Sequence, residues 1–154
     1  MKTKADEMTV ILIVDDDEDD RFISEKAVEG TELEGKLRFA NDGLELLDYL
    51  NNRGRFEDKE QNPAPTVILL DLNMPRMDGR EALKELKSNS AFNAIPVVVL
   101  TTSNQEEDVN QAYGLGVNAF VTKPVKYGAL VDIMKRINDF WFDVATVPNP
   151  NRKP

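Results

Sequence analysis

Residues 67–79 read VILLDLNMPRMDG. The apolar run Val67–Leu70 has no polar interruption and ends on a bare carboxylate, Asp71. A strand with one wet face alternates apolar and polar residues. An unbroken run instead fits a strand buried on both faces, as in a parallel sheet covered by helices. Three more runs share this character: Val10–Val14, Ile95–Leu100 and Ala119–Val121. A weaker one, Leu37–Ala40, carries Arg38 in its middle and reads as an edge strand.

Between these runs apolar residues recur at helical spacing. Phe22, Ile23 and Ala27 mark a first, less regular helix. Leu44, Leu47 and Leu50 form the stripe of a second, with Asn41 placed to cap its start. Ala82, Leu83 and Leu86 mark a third, and Val109, Ala112 and Tyr113 a fourth. Tyr127, Leu130, Met134, Ile137 and Trp141 mark a long last helix. Strands and helices thus alternate five times, and right-handed crossovers make this an α/β fold with an open, doubly wound, five-stranded parallel sheet. Asn51 to Pro65 is polar, holds two prolines and has no periodicity, so it reads as a surface loop. Residues 8–143 are expected to form the domain and 144–154, with three prolines, an irregular C-terminal tail.

Composition narrows the chemistry. The chain has 154 residues, enough for one core, and its apolar fraction of 41% is that of a globular protein. It has no cysteine and no histidine, which excludes disulfides, thiolate or imidazole metal sites, a Ser-His triad and a phosphohistidine on this chain. A formal charge of −9 repels phosphate backbones, so nucleic acid is not an expected partner. No window approaches a membrane-spanning length, and Met1 to Met8 lack the apolar core of an export signal. The expected location is cytoplasmic.

The residues at the end of each apolar run carry the functional signal. The first run ends in Asp15 and Asp16, the Val67–Leu70 run in Asp71, the next in Thr101, and the last in Thr122 and Lys123. In a parallel sheet these strand ends share one edge, where open α/β folds bind ligands. Carboxylates brought a few Å apart repel by about 4 kcal/mol per pair at intermediate dielectric. A divalent cation or a raised pKa relieves this, and oxygen ligands favour a hard ion such as Mg²⁺. A carboxylate beside Mg²⁺, with a cation to neutralise phosphoryl oxygens, suits aspartyl-phosphate chemistry.

Four blocks, ILIVDDDEDDR, VILLDLNMPRMDG, VVVLTTS and AFVTKP, resemble the signature blocks of response-regulator receiver domains, in family order and at family-like intervals. The resemblance implies a flavodoxin-like sheet with strand order 2-1-3-4-5 and a switch of a two-component phosphorelay, not an enzyme turning over a free substrate. It implies that Asp71 is the phosphoacceptor, that Asp15, Asp16, Asp71 and the backbone carbonyl of Asn73 hold Mg²⁺, and that Lys123 pairs with a phosphoryl oxygen. Thr101 would be the switch hydroxyl that turns inward on phosphorylation, followed by the ring of Phe120. Lys123–Pro124 would be a cis bond, and Asn73 and Ser103 sit where the family tunes hydrolysis of the acyl phosphate. The implied partner is a sensor histidine kinase. The ending FWFDVATVPNP and the long proline-bearing loop resemble receivers associated with phytochrome-like kinases. With no further domain after the last helix, a free-standing receiver is expected.

Plainer readings stand beside these. Asp19 and Asp20 read as a solvated cap of the first helix, and Asp78–Gly79 as turn chemistry. Phe120 reads equally as core packing. Ile133, Phe140, Phe142 and Val144 add apolar surface to the last helix, for a homodimer, a partner, or a tail folded back on its own domain. The rivals from other classes are a pseudo-receiver that binds without phosphorylation and an aspartyl-nucleophile phosphohydrolase, with Asp15 and Asp17 as its Asp-x-Asp pair. A phosphate-cradling cofactor carrier is disfavoured because the first loop is acidic.

Overall fold

A computed structural model describes residues 9–148; the expected domain start at Met8 and the last tail residues, 149–154, lie outside it. The strands are β1 (Ile11–Val14), β2 (Leu37–Ala40), β3 (Val67–Leu70), β4 (Val97–Thr101) and β5 (Ala119–Thr122). All neighbours pair in parallel, in the order β2-β1-β3-β4-β5. The helices are α1 (Glu18–Val28), α2 (Gly43–Leu50), α3 (Gly79–Ser88), α4 (Glu106–Leu115) and α5 (Tyr127–Asp139). The expected doubly wound sheet and its strand order are therefore observed, with β2 and β5 at the edges.

The unbroken apolar runs are explained by parity. Successive side chains of a strand point to opposite faces. Leu12, Val14, Ile68, Leu70, Val97 and Val99 face α2, α3 and α4, packing on Leu46, Tyr49, Leu83, Leu86 and Ala112. Ile11, Ile13, Val67, Leu69, Val98 and Leu100 face α1 and α5, packing on Ile23, Ala27, Leu130 and Met134. Each fully buried aliphatic side chain contributes roughly 1.5–3 kcal/mol relative to exposure, so neither face of the central strands can carry a polar residue cheaply.

Several helix details differ from the sequence reading. Leu46, Tyr49 and Leu50 are the buried stripe of α2, while Leu44 is exposed. Its cap is Asp42, whose carboxylate accepts from the Glu45 amide, rather than Asn41. Asn41 instead donates its side-chain amide to Glu45. The spacing misleads because leucine is common on both faces of this short helix. On α4 Ala112 is buried and Tyr113 is exposed, its hydroxyl accepting the Phe120 amide at 3.2 Å. Tyr127 is likewise exposed. No peptide bond among the described residues is cis, so Lys123–Pro124 takes the trans form that X-Pro bonds ordinarily prefer.

The segment after α2 is better anchored than its composition suggests. It holds a short 3₁₀ turn, Gly54–Phe56, with Phe56 buried and tilted on the Tyr49 ring at 5.1 Å. The buried Tyr49 hydroxyl donates to the Pro63 carbonyl. Past α5 the chain makes a π-helical turn, Phe140–Val144, and residues 145–148 have no regular structure. Of the extra apolar residues, Ile133 and Phe142 pack on the α1/α5 core along with Ile137 and Trp141, while Phe140 and Val144 remain exposed.

Helix α3 approaches the end of β3 so closely that only glycine fits. A Cβ on Gly79 would lie 2.3 Å from the Asp71 carbonyl oxygen, whereas one on Gly114 would meet nothing within 4 Å. Gly79→Ala is expected to destabilise by about 3 kcal/mol through overpacking against unyielding backbone. Gly114→Ala, inside α4, is expected to gain about 0.5–1 kcal/mol. Urea unfolding midpoints of the two variants check both signs.

Candidate functional site

The site lies at the C-terminal edge of the sheet. Asp15 comes after β1, Asp71 after β3 and Lys123 after β5, while Thr101 ends β4, so four strands deliver one polar group each. Because the strands are parallel, all four groups emerge on the same edge.

Lys123 is the hub. Its Nζ lies 2.7 Å from Asp15 Oδ2, 2.6 Å from Asp20 Oδ2 and 3.3 Å from Asp71 Oδ2, with a side chain only 6% exposed. Its own amide donates to the Thr101 carbonyl at 2.7 Å, which fixes the base of the side chain. Asp71 Oδ1 accepts from the Thr101 hydroxyl at 2.9 Å and from the Asn73 amide at 3.1 Å. Asp15 Oδ1 accepts from the Asp17 amide at 2.9 Å. Asp16 is exposed beside them, and carboxylate oxygens of Asp15, Asp16 and Asp71 all lie within 4.8 Å of one another. One ammonium thus faces three carboxylates, with a fourth alongside. This donor set fits a hard divalent cation: oxygen ligands only, an excess of negative charge, and one open, exposed side.

The crowding shifts both titrating partners. Burial pushes the Asp15 carboxyl up to about 7, overcoming the lowering influence of Lys123, while Asp71 nearby adds to the rise. Burial works against the Lys123 ammonium too, but Asp15, Asp20 and Asp71 more than offset it and hold the amine protonated.

The chain's residues 11–135 match the family model described as the response regulator receiver domain. The chain belongs to the response-regulator receiver family. This receiver is 37% identical to the response regulator Rcp1 of a Synechocystis species, over 96% of its own length and 99% of that relative's. Its fold matches the crystal structure of the phosphorylated cyanobacterial phytochrome response regulator RcpA. The TM-score is 0.83, with 38% identity over 90% of this chain and 96% of that one. The Mn²⁺-bound form of Rcp1 matches equally well, at a TM-score of 0.83 and 39% identity over 90% of this chain and 98% of that one. The receiver's function is that of a phosphoryl-accepting response regulator of two-component signalling, a system in which receivers interact with histidine kinases. Receiver domains bind a divalent metal at such an acidic pocket. No helix among the described residues is long and apolar enough to cross a membrane.

The residues singled out in the sequence fall into three groups. Asp15, Asp16, Asp71, Thr101 and Lys123 meet in one cluster, with Asn73 joined to it through its backbone amide. Phe120 is half-buried against the core that lies under α4, packed rather than free. Ser103 is drawn away from the cluster, since its hydroxyl donates to Asp108, which also pairs with Arg80 at 2.8 Å. Thr101 is fully buried and already turned onto Asp71. In this structure the hydroxyl faces inward, and the Asp71 carboxylate is the acceptor that its burial requires.

Asp20 is the site residue that the sequence hides. It reads there as part of a solvated cap, yet it makes the shortest contact to Lys123. The available signal is helical phase. Asp20, Ser24 and Ala27 stand at i, i+4 and i+7 of α1, and Ser24 and Ala27 are buried. Asp19 lies off this line and is exposed, as a solvated cap requires.

The raised Asp15 carboxyl makes a signed prediction. A group whose pKa is higher folded than unfolded contributes stability below its unfolded value and loses it as pH rises through the folded one. In chelator, the wild-type receiver should lose stability between about pH 4 and about pH 7 relative to Asp15→Asn. Urea midpoints of the two proteins across that range test it; parallel curves would remove Asp15 as the cause.

Proposed function

We propose that Asp71 is the phosphoacceptor, taking its phosphoryl group from the phosphohistidine of a sensor histidine kinase. The observation that carries this is the division of labour on its carboxylate. One oxygen is held by Thr101 and Asn73, and the other faces the Lys123 ammonium. An oxygen of Asp71 attacks phosphorus, the bond from phosphorus to the kinase imidazole breaks, and the imidazole takes a proton as it leaves. Lys123 then pairs with a phosphoryl oxygen, and Thr101 exchanges its carboxylate acceptor for a phosphoryl one. Mg²⁺ held by Asp15, Asp16, Asp71 and the Asn73 carbonyl would supply the charge neutralisation that lets an anionic donor approach.

The outcome is a switch rather than turnover of a free substrate, acting in the cytoplasm. The repacking would pass through the half-buried Phe120 to the face formed by α4, β5 and α5. Residues 8–143 make up the receiver unit in this reading and 144–154 its tail. Similarity to RcpA and Rcp1 supports a phytochrome-like kinase as the partner.

Intact-mass measurement after incubation with acetyl phosphate and Mg²⁺ tests the assignment. A single phosphoryl adduct is expected on wild type and none on Asp71→Asn or in EDTA. An adduct on Asp71→Asn would move the acceptor elsewhere, and no adduct even with a phosphorylated histidine kinase would leave a binding module.

The exposed Phe140 and Val144, continuous with the apolar face of α5, favour a homodimer through this end of the molecule. Light scattering should then give twice the chain mass for wild type and the chain mass for Phe140→Glu. A wild-type monomer at high concentration would end the dimer reading.

A further inference from the structure

The loop between β3 and α3 is strained at one residue and tied down from the side by a neighbouring helix. Arg76 has φ +63°, the left-handed region that disfavours side chains. Its guanidinium nonetheless closes on a single carboxylate oxygen: Nε and Nη2 both lie 2.6 Å from Asp42 Oδ2. The Asp42 side chain is 4% exposed and also caps α2. Beside it the Gly43 amide donates to the Met77 carbonyl at 2.9 Å, and a Cβ on Gly43 would fall 2.7 Å from that oxygen. The loop is closed at its base, where the Gly79 amide donates to the Leu72 carbonyl. Asn73 lies within this closed segment.

The same helix end reaches the acidic pair. Arg21 donates from Nε to the Asp15 carbonyl and from its guanidinium to the Asn41 side chain. Asn41 donates to Glu45, which lies 3.7 Å from Arg76. Both segments that carry the acidic pocket, residues 15–16 and 71–73, are therefore braced by one junction, Asn41 to Glu45, on which no pocket ligand sits.

We infer that the Arg76–Asp42 ion pair is a positioning device for the divalent-cation site: it holds the loop bearing Asn73 in a strained backbone conformation against α2. A residue in an unfavourable conformation persists where its surroundings over-determine it, and here the restraint is the nearly buried Asp42 carboxylate. This rests on the reading that Asp15, Asp16, Asp71 and Asn73 hold the cation. Arg76 touches none of them and acts through the backbone.

Calorimetric titration of the unphosphorylated protein with Mg²⁺ alone tests it on wild type, Arg76→Gln, Asp42→Asn, the double variant and Arg76→Gly. Arg76→Gln and Asp42→Asn should each weaken Mg²⁺ binding roughly tenfold, the range for a partner that orients a ligand from behind. The double variant should be no weaker than either single one, since one interaction is lost in all three. Arg76→Gly separates positioning from stability, because it relieves the backbone while deleting the tether, so its melting temperature should hold while its affinity falls. Arg76→Lys should recover part of the affinity. Unchanged Mg²⁺ affinity in Arg76→Gln and Arg76→Gly, against a wild type that binds, would overturn the inference and leave the site assignment intact. A wild type that binds no Mg²⁺ would overturn both.

Discussion

Carboxylates crowded at the edge of a parallel sheet repel one another, and the buried Lys123 ammonium is what lets the fold close around them. Its side chain comes from just after β5 and reaches Asp15 after β1, Asp20 on α1 and Asp71 after β3. One cation thereby ties together four elements. The tie is incomplete, because three acids against one base leave the pocket short of positive charge. Burial above all makes Asp15 hold its proton tightly, with Asp71 adding to it, and the deficit gives a divalent cation something to bind.

The acyl-phosphate chemistry of such a pocket depends on arrangement more than on any reactive side chain. There is no histidine or cysteine to act as base or nucleophile. On the proposed assignment the Asp71 carboxylate is prepared by what surrounds it, with donors on one oxygen and a cation near the other. Replacing water by fixed donors and charges in a partly buried site is how a weak nucleophile becomes serviceable. Gly79 belongs to the same arrangement. By letting α3 press against the Asp71 backbone, it fixes where that carboxylate starts from.

Much of this is legible in the sequence because burial on both sheet faces leaves an unmistakable trace. The runs ending in Asp15, Asp71 and Thr101 can hardly be anything but central strands, and the order of polar residues after them maps onto one edge. Less is legible on the helices. An eight-residue helix such as α2, leucine-rich on both faces, gives too few turns to fix its phase, so Asn41 looks like the cap that Asp42 provides. Asp20 is hidden in an acidic run whose members differ only in direction, and direction depends on where the helix begins. The inward position of Thr101 cannot be read at all, because it depends on a rotamer and on the acceptor opposite. The Arg76 tether is equally invisible: residues 34 apart in sequence meet only once the sheet is assembled.

The two edge strands are blunted in different ways. The outward carbonyls of β2 are taken by arginines, Leu37 by Arg38 and Phe39 by Arg55, and Arg38 also reaches across to the Gln61 carbonyl. On the other side the Tyr113 hydroxyl takes the Phe120 amide of β5. An unprotected sheet edge invites another chain to add a strand, the route to open-ended stacking. These side chains take up part of the bonding that an added strand would need, so sideways growth of the sheet is disfavoured. An arginine or a tyrosine placed at a margin thus does for the sheet what a cap does for a helix: it gives an orphaned backbone group a partner from within the chain.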